Sequence, residues 1–579
     1  MRPADHSRMV FFRLNSSRLM WIYPLLLSLL PVFFLVACSR ESPPHDESAS
    51  SQKVAASSPV EQGRQPRYGG IYRRPLRNEP PTLDPAFVTD IFAITVTNEI
   101  FDGLVQFDGD LNVLPALARS WEGSRDGLTW TFHLREKAQF HNGRVVTAHD
   151  VVYSFTRMLN PAMKSPNAWL FEKVKGAEAF RRGEASTVSG FEVKDEHTLT
   201  ITLAEPFAPF ITLLGMAQAR VVPREEVERA GNEFGRHPVG TGPFRFVRWE
   251  KGKAITLEAN PVYFEGRPYL DGIRFVLFSG SDTTHIFQEF AANRLEDAYI
   301  PLPQRSQLIQ DSRFTLVRKP TLSLLHIGMN NTIPPLNDPK VRQALNYAIN
   351  RERINREIRQ NRFEIATGIL PPGMPGYNPK LAGYRYNPEK ARQLLAEAGY
   401  PEGRGFPVLE LWTSAKSAVV RQEHEAIQRD LAAIGVQVEL KFAPNWATFL
   451  EMLKQGKAPL YRRAWYADFP DPDNFLYVLL YSESANNYSR YHNPQVDTLL
   501  RQARAETDYL KRIEIYREAE RIIMQDAPWI NLVYYTYEHL FQPYVRGIEI
   551  NALGEMSIPM KKIWLDKASA EMQSALRKE

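Results

Sequence analysis

The sequence predicts a mixed α/β protein (α/β or α+β) folded in several lobes, on three observations. Apolar spacings of period two alternate with helical spacings of period 3.6 along most of the chain. The 579 residues, at roughly 150 per domain, make about three or four folding units. Residues 409–442 read as strand, helix and strand in a row, the pattern of a βαβ unit. No internal repeat is present, and a pure helical bundle is excluded.

The elements follow in order. Residues 128–135 place Trp130, Phe132 and Leu134 on one face of a strand. Thr147-Ala148-His149-Asp150 then reads as a capping box that opens a helix, with Val151, Val152, Phe155, Met158 and Leu159 on one side. Residues 198–203 alternate Leu199, Ile201 and Leu203 with threonines. Residues 244–257 form a hairpin around Glu250-Lys251-Gly252-Lys253. From 322 to 329 the chain is apolar. Asp338-Pro339 and Asn387-Pro388 each start a helix, with proline at its first position, and Gly399 ends the second. Long helices cover 496–524, and a strand runs from 529 to 537.

Composition narrows the function classes. With 44% hydrophobic and 24% charged residues the chain is a folded protein and not a disordered one. The net charge of +5 includes Arg2, Arg8, Arg13 and Arg18 against Asp5, so without residues 1–37 only +2 remains. That is no footprint for nucleic acid. A single cysteine, Cys38, excludes an internal disulfide, and the twelve histidines form no HExxH pattern.

The four arginines precede the apolar run 19–37, which fits an export signal; a transmembrane helix is the rival. Leu35-Val36-Ala37-Cys38 resembles a bacterial lipobox. Cleavage before Cys38 would leave that residue to carry lipid, and two or three acyl chains anchor stably at about 0.8 kcal/mol per buried methylene. Residues 1–37 are thus expected as a lipoprotein signal peptide, and 38–67 as the lipidated cysteine with a flexible tether poor in apolar residues.

The stretch with most chemistry is Trp465-Tyr466-Ala467-Asp468-Phe469-Pro470-Asp471-Pro472-Asp473-Asn474-Phe475. Carboxylates beside flat aromatics, on a turn stiffened by two prolines, suit an amine-bearing ligand such as a peptide N-terminus. The same residues also make plain turn chemistry.

Several segments together resemble the solute-binding proteins of peptide ABC importers, the oligopeptide- and dipeptide-binding family (extracellular solute-binding protein family 5). They include Pro81-Thr82-Leu83-Asp84-Pro85, Asn98-Glu99-Ile100-Phe101-Asp102-Gly103-Leu104, the run 126–135, Gly240-Thr241-Gly242-Pro243-Phe244, Val341-Arg342-Gln343-Ala344-Leu345 and Asn486-Asn487-Tyr488. The resemblance spans about 68 to 565. It implies a bilobal periplasmic-binding-protein type II fold with an extra small domain and a cleft that closes about a hinge. Lobe I would be 68–110, 240–322 and 532–567, the small domain 111–239, and lobe II 323–531.

By the same resemblance, Asp468 is the partner of the peptide ammonium, and Trp465 and Trp446 are pocket aromatics, with Tyr488 a further wall. Arg462 is a candidate carboxylate partner, its neighbour Arg463 leaving open which of the two faces the cleft. Residues 79–83, beginning at Glu79, would lend backbone groups to the peptide. Ala464 departs from the family, where glycine often stands. The expected function is a lipoprotein, exported and lipid-anchored at the periplasmic space or the outer face of the cell membrane. It would act as a monomer that captures small peptides and delivers them to an ABC permease, with no cofactor, metal or nucleic acid. The alternatives are a non-peptide ligand (a nickel complex, haem or a sugar) and a ligand-sensing lipoprotein.

Catalysis would need a carboxylate pair such as Asp471 and Asp473, but both are read as shaping the turn, with Asp473 as a cap. Gly240-Thr241-Gly242 lacks the ending of a phosphate loop, and His133, His141 and His149 need not converge on a metal.

Overall fold

Helices start where the sequence supplies an oxygen for their first free N–H groups. Asp338 accepts from the Lys340 amide at 2.8 Å and Asn387 from that of Lys390 at 2.9 Å, each just ahead of a proline. At Thr147 the backbone N–H donates to Asp150 at 2.8 Å. The helix that follows, Ala148–Leu159, buries Val151, Phe155, Met158 and Leu159. A computed structural model describes residues 65–278 and 283–567. The expected export signal, Cys38 and most of the expected tether lie outside the described residues. Among the described residues no helix is long and apolar enough to cross a membrane.

Four sheets carry most of the mass. One has the order Ile71–Leu76, Gly272–Leu277, Ala254–Ala259, Phe244–Glu250; its first pair is parallel and the others antiparallel. A second, fully antiparallel, joins Ala118–Gly123, Thr129–Leu134, Thr198–Thr202 and Phe191–Asp195. Its inward face, Phe132, Leu134, Leu199 and Ile201, packs on the Ala148–Leu159 helix. The largest has six strands in the order Glu364–Ile365, Trp529–Tyr534, Ser323–Met329, Leu460–Tyr466, Leu409–Thr413, Val438–Phe442. The expected βαβ unit is there: Leu409–Thr413 and Val438–Phe442 pair in parallel across the helix Ala418–Ala432. Ser323–Met329 is buried along its whole length, which is why it reads as an apolar run without alternation.

The fourth sheet has three strands, Asp297–Tyr299, Thr536–Phe541 and Thr315–Pro320. Here the structure departs from the sequence expectation of one strand over 529–537. The chain makes two strands, Trp529–Tyr534 and Thr536–Phe541, which belong to different sheets. Thr315–Pro320 and Ser323–Met329 divide in the same way. The two crossings lie side by side: the Thr321 amide donates to the Tyr535 carbonyl at 2.8 Å, and the Tyr535 amide to Ser323 Oγ at 3.1 Å. Tyr535 thus spends its backbone groups on the crossing and not on either ladder. No periodicity distinguishes such a switch from a continuous strand, because every side chain from 529 to 534 and from 536 to 541 is buried.

The Gly240-Thr241-Gly242 turn seats against the end of the helix Ile91–Ile100. The Gly242 amide donates to the Ile100 carbonyl at 2.8 Å, and His141 holds the turn from the other side, its Nε2 3.0 Å from the Gly242 carbonyl. Burial pushes the His141 imidazole down to about 4, so the ring stays neutral, with Nδ1 accepting from the Gly240 amide. A Cβ on Gly240 would stand 2.0 Å from the Ile100 carbonyl oxygen, a backbone atom that cannot swing aside. Gly240→Ala is therefore expected to cost about 1–3 kcal/mol, read as a lower midpoint in urea with an unchanged slope.

Candidate ligand-binding site

The strand Leu460–Tyr466 pairs antiparallel with Ser323–Met329, Tyr466 opposite Ser323. Where this ladder ends, the Ala467 amide donates to the Leu322 carbonyl at 2.7 Å, so the loop leaves the sheet at the strand crossing. Asn474 then fixes the loop. Its Oδ1 accepts from Trp465 Nε1 at 2.9 Å and from the Asp468 amide at 3.1 Å, while its Nδ2 stands 3.4 Å from Asp468 Oδ2. Sequence reading missed Asn474; its only signal was the Asp-Asn pair, which was read as turn chemistry.

The loop's three carboxylates have different fates. Asp471 is buried and takes both Nη atoms of Arg512, at 3.0 and 2.6 Å. Asp473, also buried, receives Arg504 Nε at 2.8 Å and the Tyr516 hydroxyl at 3.1 Å. It is the first residue of the helix Asp473–Leu480, and its carboxylate ties helices together instead of capping one. Asp468 alone reaches solvent, and no cation among the described residues pairs with it. Protein surrounds it closely, so desolvation raises its carboxyl above the ordinary range, with the Asn474 hydrogen bond a smaller opposing influence. Next to it Phe469 is 2% exposed and packs into the core of the four-stranded antiparallel sheet, its ring 6.4 Å from that of Trp169.

Two cavities meet at Tyr466 and Ala467. The first, about 490 Å³, has Asp468 on its wall with Asn98, Glu99, Asp102, Arg220 and Lys561. It is rich in acid. Desolvation pushes Glu99 up to about 8 despite Arg74, and raises Asp102, which accepts from Tyr263 and Thr241 at 3.0 Å each. The second, about 360 Å³, is walled by Tyr299, Phe363, Tyr466, Tyr535 and Tyr537 and holds Arg77 and Arg362. The Tyr466 and Tyr535 rings stack at 5.5 Å, and Phe363 stands edge-on to Tyr535 at 4.8 Å.

The other residues singled out from the sequence lie elsewhere. Side chains alternate along Leu460–Tyr466, so Trp465 and Arg463 occupy the face opposite to Arg462 and Tyr466. Trp465 is half-buried; the Arg463 guanidinium stands 5.3 Å from its ring and 4.5 Å from that of Tyr488. Tyr488 is buried beside Phe449 and Tyr461. Trp446 is 53% exposed at the start of the helix Trp446–Lys454, its ring 5.8 Å from Phe449. Arg462 faces Glu423 at 3.6 Å, but Glu423 is already held by Arg359 at 2.6 Å. Glu79 Oε1 accepts from Trp249 Nε1 at 2.8 Å and from the Gly252 amide at 3.2 Å, so that carboxylate anchors the 244–259 hairpin. Of the six candidates Asp468, Trp465, Trp446, Arg462, Tyr488 and Glu79, Asp468 alone lines either of these two cavities, and it lines the first.

This architecture and site can be set beside known proteins. The family model described as bacterial extracellular solute-binding proteins, family 5 Middle, matches residues 112–487. The Dipeptide-binding protein of Escherichia coli (strain K12) is 32% identical over 479 residues, 79% of this chain and 87% of that protein. Heme-binding protein A of Haemophilus influenzae is 32% identical over 490 residues, 81% of this chain and 88% of that one. Among solved structures, the ABC transporter-associated periplasmic binding protein DppA from Helicobacter pylori, in complex with peptide STSA, superposes with a TM-score of 0.70 at 29% identity, over 86% of this chain and 99% of that chain. The chain belongs to the bacterial extracellular solute-binding proteins of family 5. Its fold is the two-lobed periplasmic-binding-protein fold.

The two kinds of ion pair set a test of what holds the loop. Breaking a buried pair strands a charge and costs about 3–5 kcal/mol, whereas an exposed pair is worth under about 1 kcal/mol. Arg512→Met should therefore lower stability by about 3–5 kcal/mol in chemical denaturation. Arg182→Met, which removes the surface pair with Glu178, should leave the midpoint nearly unchanged.

Proposed function

We propose that this protein captures short peptides by their free N-terminus at Asp468 and passes them to an ABC permease. In this reading it is exported and held at the membrane by lipid on Cys38. The observation that carries the proposal is a shielded carboxylate on a cavity wall with no cation beside it, on a loop fixed by Asn474. An uncompensated carboxylate there costs stability in the free protein, and an ammonium with good hydrogen bonds offsets that cost. The named relatives that bind dipeptides or carry a bound peptide support the same choice of ligand. The paired strand crossings at Thr321–Ser323 and Tyr535 serve as the hinge, where few residues need change φ and ψ for the lobes to close. The aromatic walls for ligand side chains are Tyr466, Tyr535 and Phe363 in place of Trp465, Trp446 and Tyr488, and residues 79–83 offer backbone groups across the cleft.

Calorimetry with peptides of two to five residues, and haem as a competing ligand, tests the reading. Asp468→Asn should weaken a free-amine peptide by about 2–3 kcal/mol, on the order of 30–150-fold. An unchanged affinity sinks the ammonium assignment. The pH dependence has a definite sign. The amine stays charged while Asp468 takes up a proton, so affinity falls as pH is lowered through the folded-state pKa. That pKa is raised by desolvation, so the loss begins above the ordinary aspartate value of about 4. For the ligand-free protein a raised folded pKa means stability that is full below the unfolded pKa and lost as pH rises. Asp468→Asn should therefore raise the melting temperature of the ligand-free protein at neutral pH while lowering peptide affinity.

A further inference from the structure

We propose that the small domain, residues 111–239, acts as a clasp that grips the 323–531 lobe at Arg504 and Phe469. The grip is made outside both cavities, and it governs how long the closed cleft retains its ligand. This rests on the reading of an interlobe ligand cleft above, and not on which group Asp468 binds.

Side chains and backbone fix the small domain to the parts of the chain read as lobe I. Arg157 Nη1 donates to Asp84 at 2.8 Å, with both side chains buried. Asn167 Nδ2 donates to the Val88 carbonyl at 2.9 Å, and the His141 amide to the Gly240 carbonyl at 2.8 Å. The small domain therefore moves with that lobe. Whatever it touches in 323–531 is made and broken as the cleft closes and opens.

The grip begins at a helix end. The last carbonyls of a helix have no partner within it and need donors from elsewhere. Near the end of Pro494–Ala505 the Arg504 carbonyl takes the Ala208 amide of the small domain at 2.9 Å. Ala208 lies between Pro206-Phe207 and Pro209, and the two prolines stiffen the loop that presents its N–H. The Arg504 guanidinium, held by Asp473 at 2.8 Å, stands 3.5 Å from the Tyr477 ring of its own lobe and 4.8 Å from that of Phe207. Beside this contact Gly127 is buried, although Ser124, Arg125 and Asp126 ahead of it are exposed. Its cover comes from Thr507 and Pro206. A Cβ on Gly127 would stand 3.0 Å from Thr507 Cγ2 and 3.5 Å from Pro206 Cβ.

The second hold is Phe469. It follows Asp468 directly, and its ring is 2% exposed among the core residues of the small domain. Opening the cleft would draw that ring into water, so its burial favours the closed form. Arg504 joins the two holds, because its guanidinium fixes Asp473 a few residues after Phe469. A wedge at this contact lowers the closed fraction, and with it the apparent affinity, without touching a group in either cavity.

Stopped-flow kinetics on the full chain, with alanine peptides of two to five residues and with haem as a second probe, test this. Thr507→Trp sets a bulky ring against Gly127 from an exposed loop position. With the fold intact by circular dichroism, it should speed release of the probe at least about tenfold and leave association within about twofold. Leu510→Trp, the same ring at a nearby position that is 73% exposed, should change neither rate. Phe469→Ala should also speed release, and Phe469→Leu, which refills most of the socket, should recover part of the loss. Hydrogen exchange gives a second readout: saturating probe should slow the Ala208 amide at least about tenfold, and Thr507→Trp should abolish that slowing. Unchanged release from Thr507→Trp overturns the proposal, as does an Ala208 amide that exchanges equally with and without bound probe. If haem binds and no peptide does, the peptide reading falls and the clasp is judged by the same rates. Failure of both probes to bind overturns both.

Discussion

The hydrogen bond from the Ala467 amide to the Leu322 carbonyl is the contact on which the arrangement of this protein turns. It closes the ladder between Ser323–Met329 and Leu460–Tyr466 at the point where the first of these strands has just arrived from another sheet. Asp468 is the next residue. Its position is therefore set by the crossing itself, and a change in the angle between the sheets would carry the charged loop with it. The Leu322 amide is engaged as well, donating to the Ala552 carbonyl, so the crossing is held from both sides by backbone bonds that are indifferent to side-chain identity.

Around that point the protein handles its charges in two ways. Asp471 and Asp473 are buried deeply and fully satisfied by Arg512, Arg504 and Tyr516, so they lend rigidity and no reactivity. Asp468, on the same short loop, is shielded but unpaired. A carboxylate that protein crowds without a cation is held less favourably than one in open water, although Asp468 still reaches solvent. The loop is also pinned at Phe469, whose ring is buried in the core of the four-stranded sheet. Unpaired charge on a rigid mount is the arrangement expected of recognition, since the group need not be reorganised when a ligand arrives.

The aromatic residues show the same division by sheet face. Trp465 and Tyr488 lie against Arg463 on one side of Leu460–Tyr466, while Tyr466 and Tyr535 stack on the other, where the cavities are. A period-two alternation allows that split to be read from sequence once the strand is known. It does not say which face meets a cavity, because both faces of this strand are covered.

Capping residues, the βαβ spacing, the single cysteine and the Trp465–Phe475 loop are local features. The sequence by itself determined where elements begin, which faces are apolar, and that Asp468 and its neighbours form a stiff turn. Tertiary structure alone decided that Arg512 and Arg504 meet two of the loop's carboxylates and leave the third. It also decided that Arg462 is drawn to Glu423, that Glu79 anchors a hairpin, and that residues 529–541 serve two sheets. Glu538 and Arg305 lie 233 positions apart in the chain, and Asp471 and Arg512 lie 41 apart. Such pairings depend on how the sheets cross, and no spacing along the chain encodes which distant cation will arrive beside which acid.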